Sequence, residues 1–127
     1  MQALVVDDSR AMRAILTRLM TGFGFDVVQA GDGAEALALL DGGLMPDVAL
    51  VDWNMPVMDG LTFIKSCRAR ADLRQITLMM VTTESESDRI VRALAAGAHE
   101  YLIKPFTGEA MLEKLDLLGL LRTSTGV

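Results

Sequence analysis

Val48-Ala49-Leu50-Val51-Asp52-Trp53-Asn54-Met55-Pro56 sets four apolar residues against an acid and closes on a proline. So short a run with turn residues at its boundaries predicts a strand, apolar enough to be buried on both faces. Working outward, similar runs stand at Ala3 to Val6, Val27 to Gln29, Leu78 to Val81 and Tyr101 to Ile103. The stretches between them carry helical spacing. Met12, Ile15, Leu16, Leu19 and Met20 make one apolar stripe, with Arg10, Arg13 and Arg18 at polar positions. Asp32 and Glu35 resemble a capping pair at the start of Ala34 to Leu40, which Gly42 and Gly43 stop. Further stripes follow Gly60 (Leu61, Ile64, Cys67), Ser85 (Ile90, Val91, Leu94) and Thr107 (Met111, Leu115, Leu118).

Five strands alternating with five helices imply a parallel sheet, because parallel strands need crossover connections, and these are right-handed. The expected fold is α/β: a doubly wound, five-stranded parallel sheet of order 2-1-3-4-5 with helices on both faces. Its ligand crevice lies beyond the carboxyl ends of strands 1 and 3.

Composition bounds what the fold can do. The 127 residues suit one domain over 1–122 with a short tail at 123–127. A hydrophobic share of 51% and a charged share of 23% place the chain in the globular range. Twelve Lys and Arg against 17 Asp and Glu leave a charge of −5 and a pI near 4.7, which disfavours direct nucleic-acid binding. No apolar run approaches a membrane span, and no basic leader precedes Asp7 and Asp8. A lone Cys67 forms neither an internal disulfide nor a CxxC site, so a cytoplasmic, reducing setting is expected. The acid excess points to a metal ion or a basic partner.

The strand ends carry the chemistry. Strand 1 leads into Asp7-Asp8-Ser9 and strand 3 into Asp52, and the expected topology makes these strands neighbours. Three carboxylates in one crevice repel and call for a cation; oxygen ligands without His or Cys make Mg²⁺ the first choice. Taken alone, Asp7 or Asp8 serves equally well as a helix cap. Strand 4 ends at Thr82 and strand 5 at Lys104-Pro105, a hydroxyl and an ammonium that both suit a phosphate. Each is commonplace singly, and their coincidence at one rim is the signal.

The segments Val5-Val6-Asp7-Asp8-Ser9, Asp52-Trp53-Asn54-Met55-Pro56, Met58-Asp59-Gly60, Val81-Thr82 and Tyr101 with Lys104-Pro105-Phe106 resemble the receiver domains of two-component signalling, above all the stand-alone chemotaxis response regulators. The likeness spans nearly the whole chain. It implies that Asp52 accepts a phosphoryl group from a histidine kinase. It implies that Asp7, Asp8, Asp52 and the main-chain carbonyl of Asn54 hold Mg²⁺, that Thr82 and Lys104 contact the phosphate, and that the bond before Pro105 is cis. Asn54 and Glu84 would flank the attacking water and tune the lifetime of the phosphorylated state. Thr82 and Tyr101 would form the switch, Tyr101 turning inward as Thr82 engages phosphate. The chain would assist its own phosphorylation and dephosphorylation without being an enzyme in the ordinary sense.

The resemblance also implies a docking face on helix 4, strand 5 and helix 5, where Lys114 matches a position used in chemotaxis regulators and a flagellar motor switch protein is one candidate partner. The chain would be a monomer or a weak, phosphorylation-dependent dimer. Surplus leucines on helix 5 leave two accounts open, an exposed docking surface or packing under the tail. His99 reads as structural, Trp53 as packing over the loop, and most of the nine Met as core fillers.

Three other functions compete. A phosphorelay shuttle or phosphate sink keeps the chemistry but passes the phosphoryl group to a histidine phosphotransfer protein. A haloacid-dehalogenase-type phosphatase expects its DxD after the first strand and usually a cap domain, whereas Asp52 and Asn54 follow the third. An FMN carrier shares the flavodoxin-like order but needs a Ser/Thr/Gly-rich loop where Asp7 and Asp8 stand.

Overall fold

A computed structural model describes residues 1–121, so Arg122 and the expected tail at 123–127 lie outside the described residues. The elements run β1 (Gln2–Val6), α1 (Arg10–Gly22), β2 (Asp26–Ala30), α2 (Gly33–Asp41), β3 (Val48–Val51), α3 (Gly60–Ala69), a 3₁₀ turn (Ala71–Leu73), β4 (Thr77–Thr82), α4 (Ser87–Ala96), β5 (Glu100–Ile103) and α5 (Gly108–Leu117). Every pairing is parallel and the order is β2-β1-β3-β4-β5. Each strand expected from the sequence lies within an observed one.

Alternation along the strands builds two cores, one per face of the sheet. Val5, Leu50, Met79 and Val81 pack with Leu16, Met20, Met111 and Leu115 on the side of α1 and α5. Leu4, Val6, Val51 and Met80 pack with Leu40, Phe63, Ile64 and Cys67 on the other. Burial on both faces explains why β3 reads as an uninterrupted apolar run. Truncating a large side chain in such a core to alanine costs about 2–5 kcal/mol. The Asp32 cap on α2 is as expected: its carboxylate accepts the Glu35 N–H at 2.8 Å, while Glu35 reaches back to Gly31 N–H at 3.1 Å.

Three stripe residues depart from the sequence reading, since Ile15, Val91 and Leu94 are exposed by 54%, 63% and 43%. On α1 the sheet is met by Met12, Leu16, Leu19 and Met20, leaving Ile15 on the flank. On α4 the inward face belongs to Ile90, Ala93 and Ala96 at three-residue spacing, so hydrophobicity alone misplaced the stripe. Val91 and Leu94 face outward.

One cation ties down the turns at the opposite end of the sheet from Asp52. Arg68 donates from Nε to the Gly97 carbonyl at 3.0 Å and from its terminal nitrogens to the carbonyls of Arg74 at 3.1 Å and Ile76 at 3.0 Å. Gly97 adopts φ 123°, and a Cβ there would also run into the Arg68 side chain. Arg68 also lies 3.1 Å from His99 Nδ1, which accepts the Leu78 N–H at 3.1 Å. An Nδ1 that accepts a backbone N–H carries no proton, so the ring is the neutral Nε2–H tautomer. His99 is structural, as its sequence context suggested.

Burial first, and the Arg68 guanidinium second, hold the His99 imidazole below its ordinary value of 6.5. Folding therefore favours the neutral ring. Its contribution is complete above that ordinary value and declines as pH falls from there towards the lowered one. The melting temperature should fall between pH 7.5 and 5.5, and fall less in His99→Asn, which keeps an acceptor without a titrating ring. Equal slopes in the two proteins would remove His99 from the account.

Candidate functional site

Strand register assembles the site. Val6 lies opposite Val51, Val51 opposite Met80, and Thr82 opposite Ile103. The ladder runs one residue further at each end: Asp7 N–H donates to Ala30 at 3.1 Å, Asp52 N–H to Val6 at 2.9 Å and Lys104 N–H to Thr82 at 2.9 Å. Asp7, Asp52 and Lys104 thus leave the sheet at one rim with their backbones held.

Ser9 caps α1, its hydroxyl accepting the Met12 N–H at 3.1 Å. The cap is therefore neither Asp7 nor Asp8, although Asp7 Oδ1 accepts the N–H of Ser9 itself at 2.9 Å. Asp7 and Asp52 are 1% and 9% exposed, Asp8 is exposed, and one oxygen from each lies within 4.8 Å of the others. An all-oxygen donor set, part buried and part open to water, fits a hard divalent cation.

Lys104 is the internal counter-charge. Its ammonium lies 2.8 Å from Asp7 Oδ2 and 3.7 Å from Asp52 Oδ1, with the side chain only 11% exposed. Burial pushes the Asp52 carboxyl up from its ordinary value; the Thr82 hydroxyl and Lys104 pull it down, and Asp7 adds to the rise. A buried pair of this kind gains little net stability while leaving either partner alone is costly. The Lys104-Pro105 bond is cis.

Gly60 starts α3 directly against the residues that follow β3. Its N–H donates to Trp53 at 2.9 Å, and a Cβ there would collide with the Asp52 carbonyl. Trp53 is 4% exposed and belongs to the core, more deeply buried than packing over a loop requires. Between Trp53 and Gly60 the chain passes through Val57 at φ 68°, an uncommon left-handed conformation for a β-branched side chain.

Thr82 is fully buried, and Tyr101 on the edge strand β5 is 7% exposed. Tyr101 lies opposite Met80, so it shares a sheet face with Thr82 two residues on. Its hydroxyl donates to the Glu84 carbonyl at 2.6 Å. The inward arrangement that the sequence reading tied to phosphate is therefore the one described here. Across the same mouth Asn54 Nδ2 donates to Glu84 Oε2 at 2.9 Å, joining the two residues named for lifetime tuning. On the lateral face, Lys114 pairs with Glu100 at 3.0 Å.

Two arginines were missed. Arg13 donates to the Asp7 carbonyl at 2.6 Å and to Gln29 at 3.3 Å, bridging the ends of β1 and β2. Arg89 lies 3.5 Å from Glu84 Oε1 and 5.3 Å from the centre of the Trp53 ring. Arg13 read as a polar helix position, and no sequence spacing joins Arg89 to Trp53.

A sequence profile of the response regulator receiver domain matches residues 3–116. The chain belongs to that family. The receiver is 40% identical over 119 residues to the chemotaxis protein CheY1 of Helicobacter pylori, covering 93% of this chain and 96% of that protein. It is 43% identical over 121 residues to the CheY homolog of Campylobacter jejuni, covering 94% and 93%. The solved chemotaxis response regulator CheY4 of Vibrio cholerae superimposes with a TM-score of 0.85 at 35% identity, over 92% of this receiver and 97% of that chain. A response regulator of chemotaxis-type signalling is the class these relatives support. Among the described residues no helix is long and apolar enough to cross a membrane.

The acidic cluster predicts that Mg²⁺ raises the melting temperature of the receiver. Relief of the carboxylate repulsion should reach about 2.7 kcal/mol at 100 times the dissociation constant. Asp8→Ala, at an exposed position, should weaken that gain and leave the metal-free protein at least as stable. Thermal scans across an Mg²⁺ titration check both, and an indifferent parent would count against the pocket.

Proposed function

We propose that the chain is a stand-alone response regulator of a two-component phosphorelay whose Asp52 takes a phosphoryl group from a histidine kinase. The observation that carries this is a nearly buried carboxylate, Asp52, with an ammonium 3.7 Å away and two further carboxylates at the same rim. Asp52 Oδ attacks the phosphorus of a phosphohistidine, the P–N bond breaks, the imidazole leaves with a proton from solvent, and an acyl phosphate remains. Mg²⁺, held by Asp7, Asp8, Asp52 and the main-chain carbonyl of Asn54, would neutralise charge on the phosphoryl oxygens. Lys104 would exchange its bond to Asp7 for one to a phosphoryl oxygen, as a mobile point charge can. The Thr82 hydroxyl would donate to another. Asn54 and Glu84 would set the lifetime of the acyl phosphate.

The output is protein binding on the face of α4, β5 and α5. Support comes from the apolar side chains left open there: Val91, Leu94 and Ile103 are 63%, 43% and 39% exposed, and Leu117 of α5 is 71% exposed. Of the two accounts of the helix 5 leucines, packing under the tail involves residues outside the described ones, and docking is the account proposed here. The chemotaxis names of the relatives favour such a switch over a phosphate shuttle and make a flagellar motor switch protein the partner to try first. Phosphorylation would shift a two-state equilibrium in which the buried Tyr101 couples Thr82 to that face. A cytoplasmic location and a receiver filling residues 1–122 complete the reading.

Acetyl phosphate with Mg²⁺ should label the parent on Asp52, and Asp52→Asn should lose that label. Mass spectrometry of the labelled peptide decides it, and equal labelling of the variant at the same site would sink the assignment. The switch is tested by beryllium fluoride. Amide resonances on α4, β5 and α5 should shift in the parent and much less in Thr82→Ala, since coupling of about 1–3 kcal/mol is being removed. Equal shifts in both proteins would break the link between Thr82 and the face.

A further inference from the structure

We propose that Arg89 is a positioning residue that braces a strap, the Asn54–Glu84 hydrogen bond, across the mouth of the Asp52 pocket and so limits in-line approach to Asp52. The inference rests on the reading of Asp52 as the phosphoacceptor. Asn54 stands two residues beyond Asp52 and Glu84 two residues beyond Thr82, so their 2.9 Å bond joins the loops on either side of the acceptor. Glu84 is held from three directions. One carboxylate oxygen takes the Asn54 amide, the other faces Arg89 at 3.5 Å, and its main-chain carbonyl takes the Tyr101 hydroxyl at 2.6 Å.

Arg89 is itself anchored. Its guanidinium lies 5.3 Å from the centre of the Trp53 ring, and Trp53 is fixed in the core as the immediate neighbour of Asp52. A planar cation resting on an immobile indole gives the Glu84 carboxylate a fixed partner on the side facing away from Asn54. Without Arg89, that carboxylate keeps only the Asn54 amide and gains freedom to swing to solvent, since the Glu84 side chain is 24% exposed.

Two reactions need the same approach line. In phosphorylation by a small donor, Asp52 Oδ bonds to the donor phosphorus as the donor's P–O bond breaks. In hydrolysis, the oxygen of water bonds to phosphorus, the bond to Asp52 breaks, and inorganic phosphate leaves with the carboxylate restored. An obstructing strap slows both. A guanidinium acting by attraction for an incoming anion would instead speed the first, so the sign of the change on removing Arg89 separates the two roles.

The test is a double-mutant cycle on labelling by acetyl phosphate and on decay of the labelled protein. Arg89→Ala should speed both reactions about two- to five-fold, the range that an exposed ion pair supports. Arg89→Lys should stay close to the parent, and Arg89→Ala should have no further effect in Glu84→Gln. Slower labelling in Arg89→Ala, or the same effect with and without the Glu84 carboxylate, overturns the brace. A labelled parent whose rates ignore Arg89 also overturns it while leaving the phosphoacceptor reading intact. A parent that no donor labels at Asp52 overturns that reading, and the access role with it.

Discussion

Two parallel strands that end side by side deliver Asp7 and Asp52 to the same rim, and Lys104, 2.8 Å from one and 3.7 Å from the other, is what makes that tolerable. The surrounding structure follows from the need to hold this charge arrangement. Ladder bonds extend past the strand ends to fix all three backbones. Ser9 supplies the helix cap, and Asp7 Oδ1 accepts the Ser9 N–H, which ties the cap to the pocket. Gly60 lets α3 approach the Asp52 carbonyl more closely than a Cβ would allow. Electrostatics within the pocket is strained by design of the register, since burial works against the Asp52 charge and Asp7 adds to the burden.

The fold was legible because its signals are local. Short apolar runs and capped, periodic helices survive in any window of the sequence, and the order of a five-stranded parallel sheet follows from few topological choices. Asp7, Asp8, Asp52, Thr82 and Lys104 were legible for a related reason: strand ends are sequence positions, and the topology brings them to one rim. The failures lie where distance along the chain carries no information. Ile15, Val91 and Leu94 were assigned by hydrophobicity when the sheet was met by their smaller or better-placed neighbours. The Ser9 cap was lost to its acidic neighbours. The bond between Asn54 and Glu84 and the seat of Arg89 on Trp53 join segments thirty or more residues apart, and no periodicity encodes them.

Polar side chains elsewhere show how few contacts can do much positional work. Arg68 gathers three carbonyls and His99, closing the turns at the end of the sheet remote from the carboxylates. The two ends of the sheet are thereby held by different means, one by an ion cluster and the other by carbonyls converging on a cation. The first holds three carboxylates and an ammonium within reach of one another; the second contains one titratable ring, His99.

Lys104 and Asp7 are 97 residues apart in the chain. Their pairing exists only after β1, β3, β4 and β5 have all been laid side by side, since each intervening strand supplies the register for the next. A partly assembled chain holds the aspartates without the ammonium beside them. A contact of such long sequence separation forms late, because loop closure precedes the contacts that reward it. It also makes the charge balance at this rim a property of the whole sheet and of no single strand.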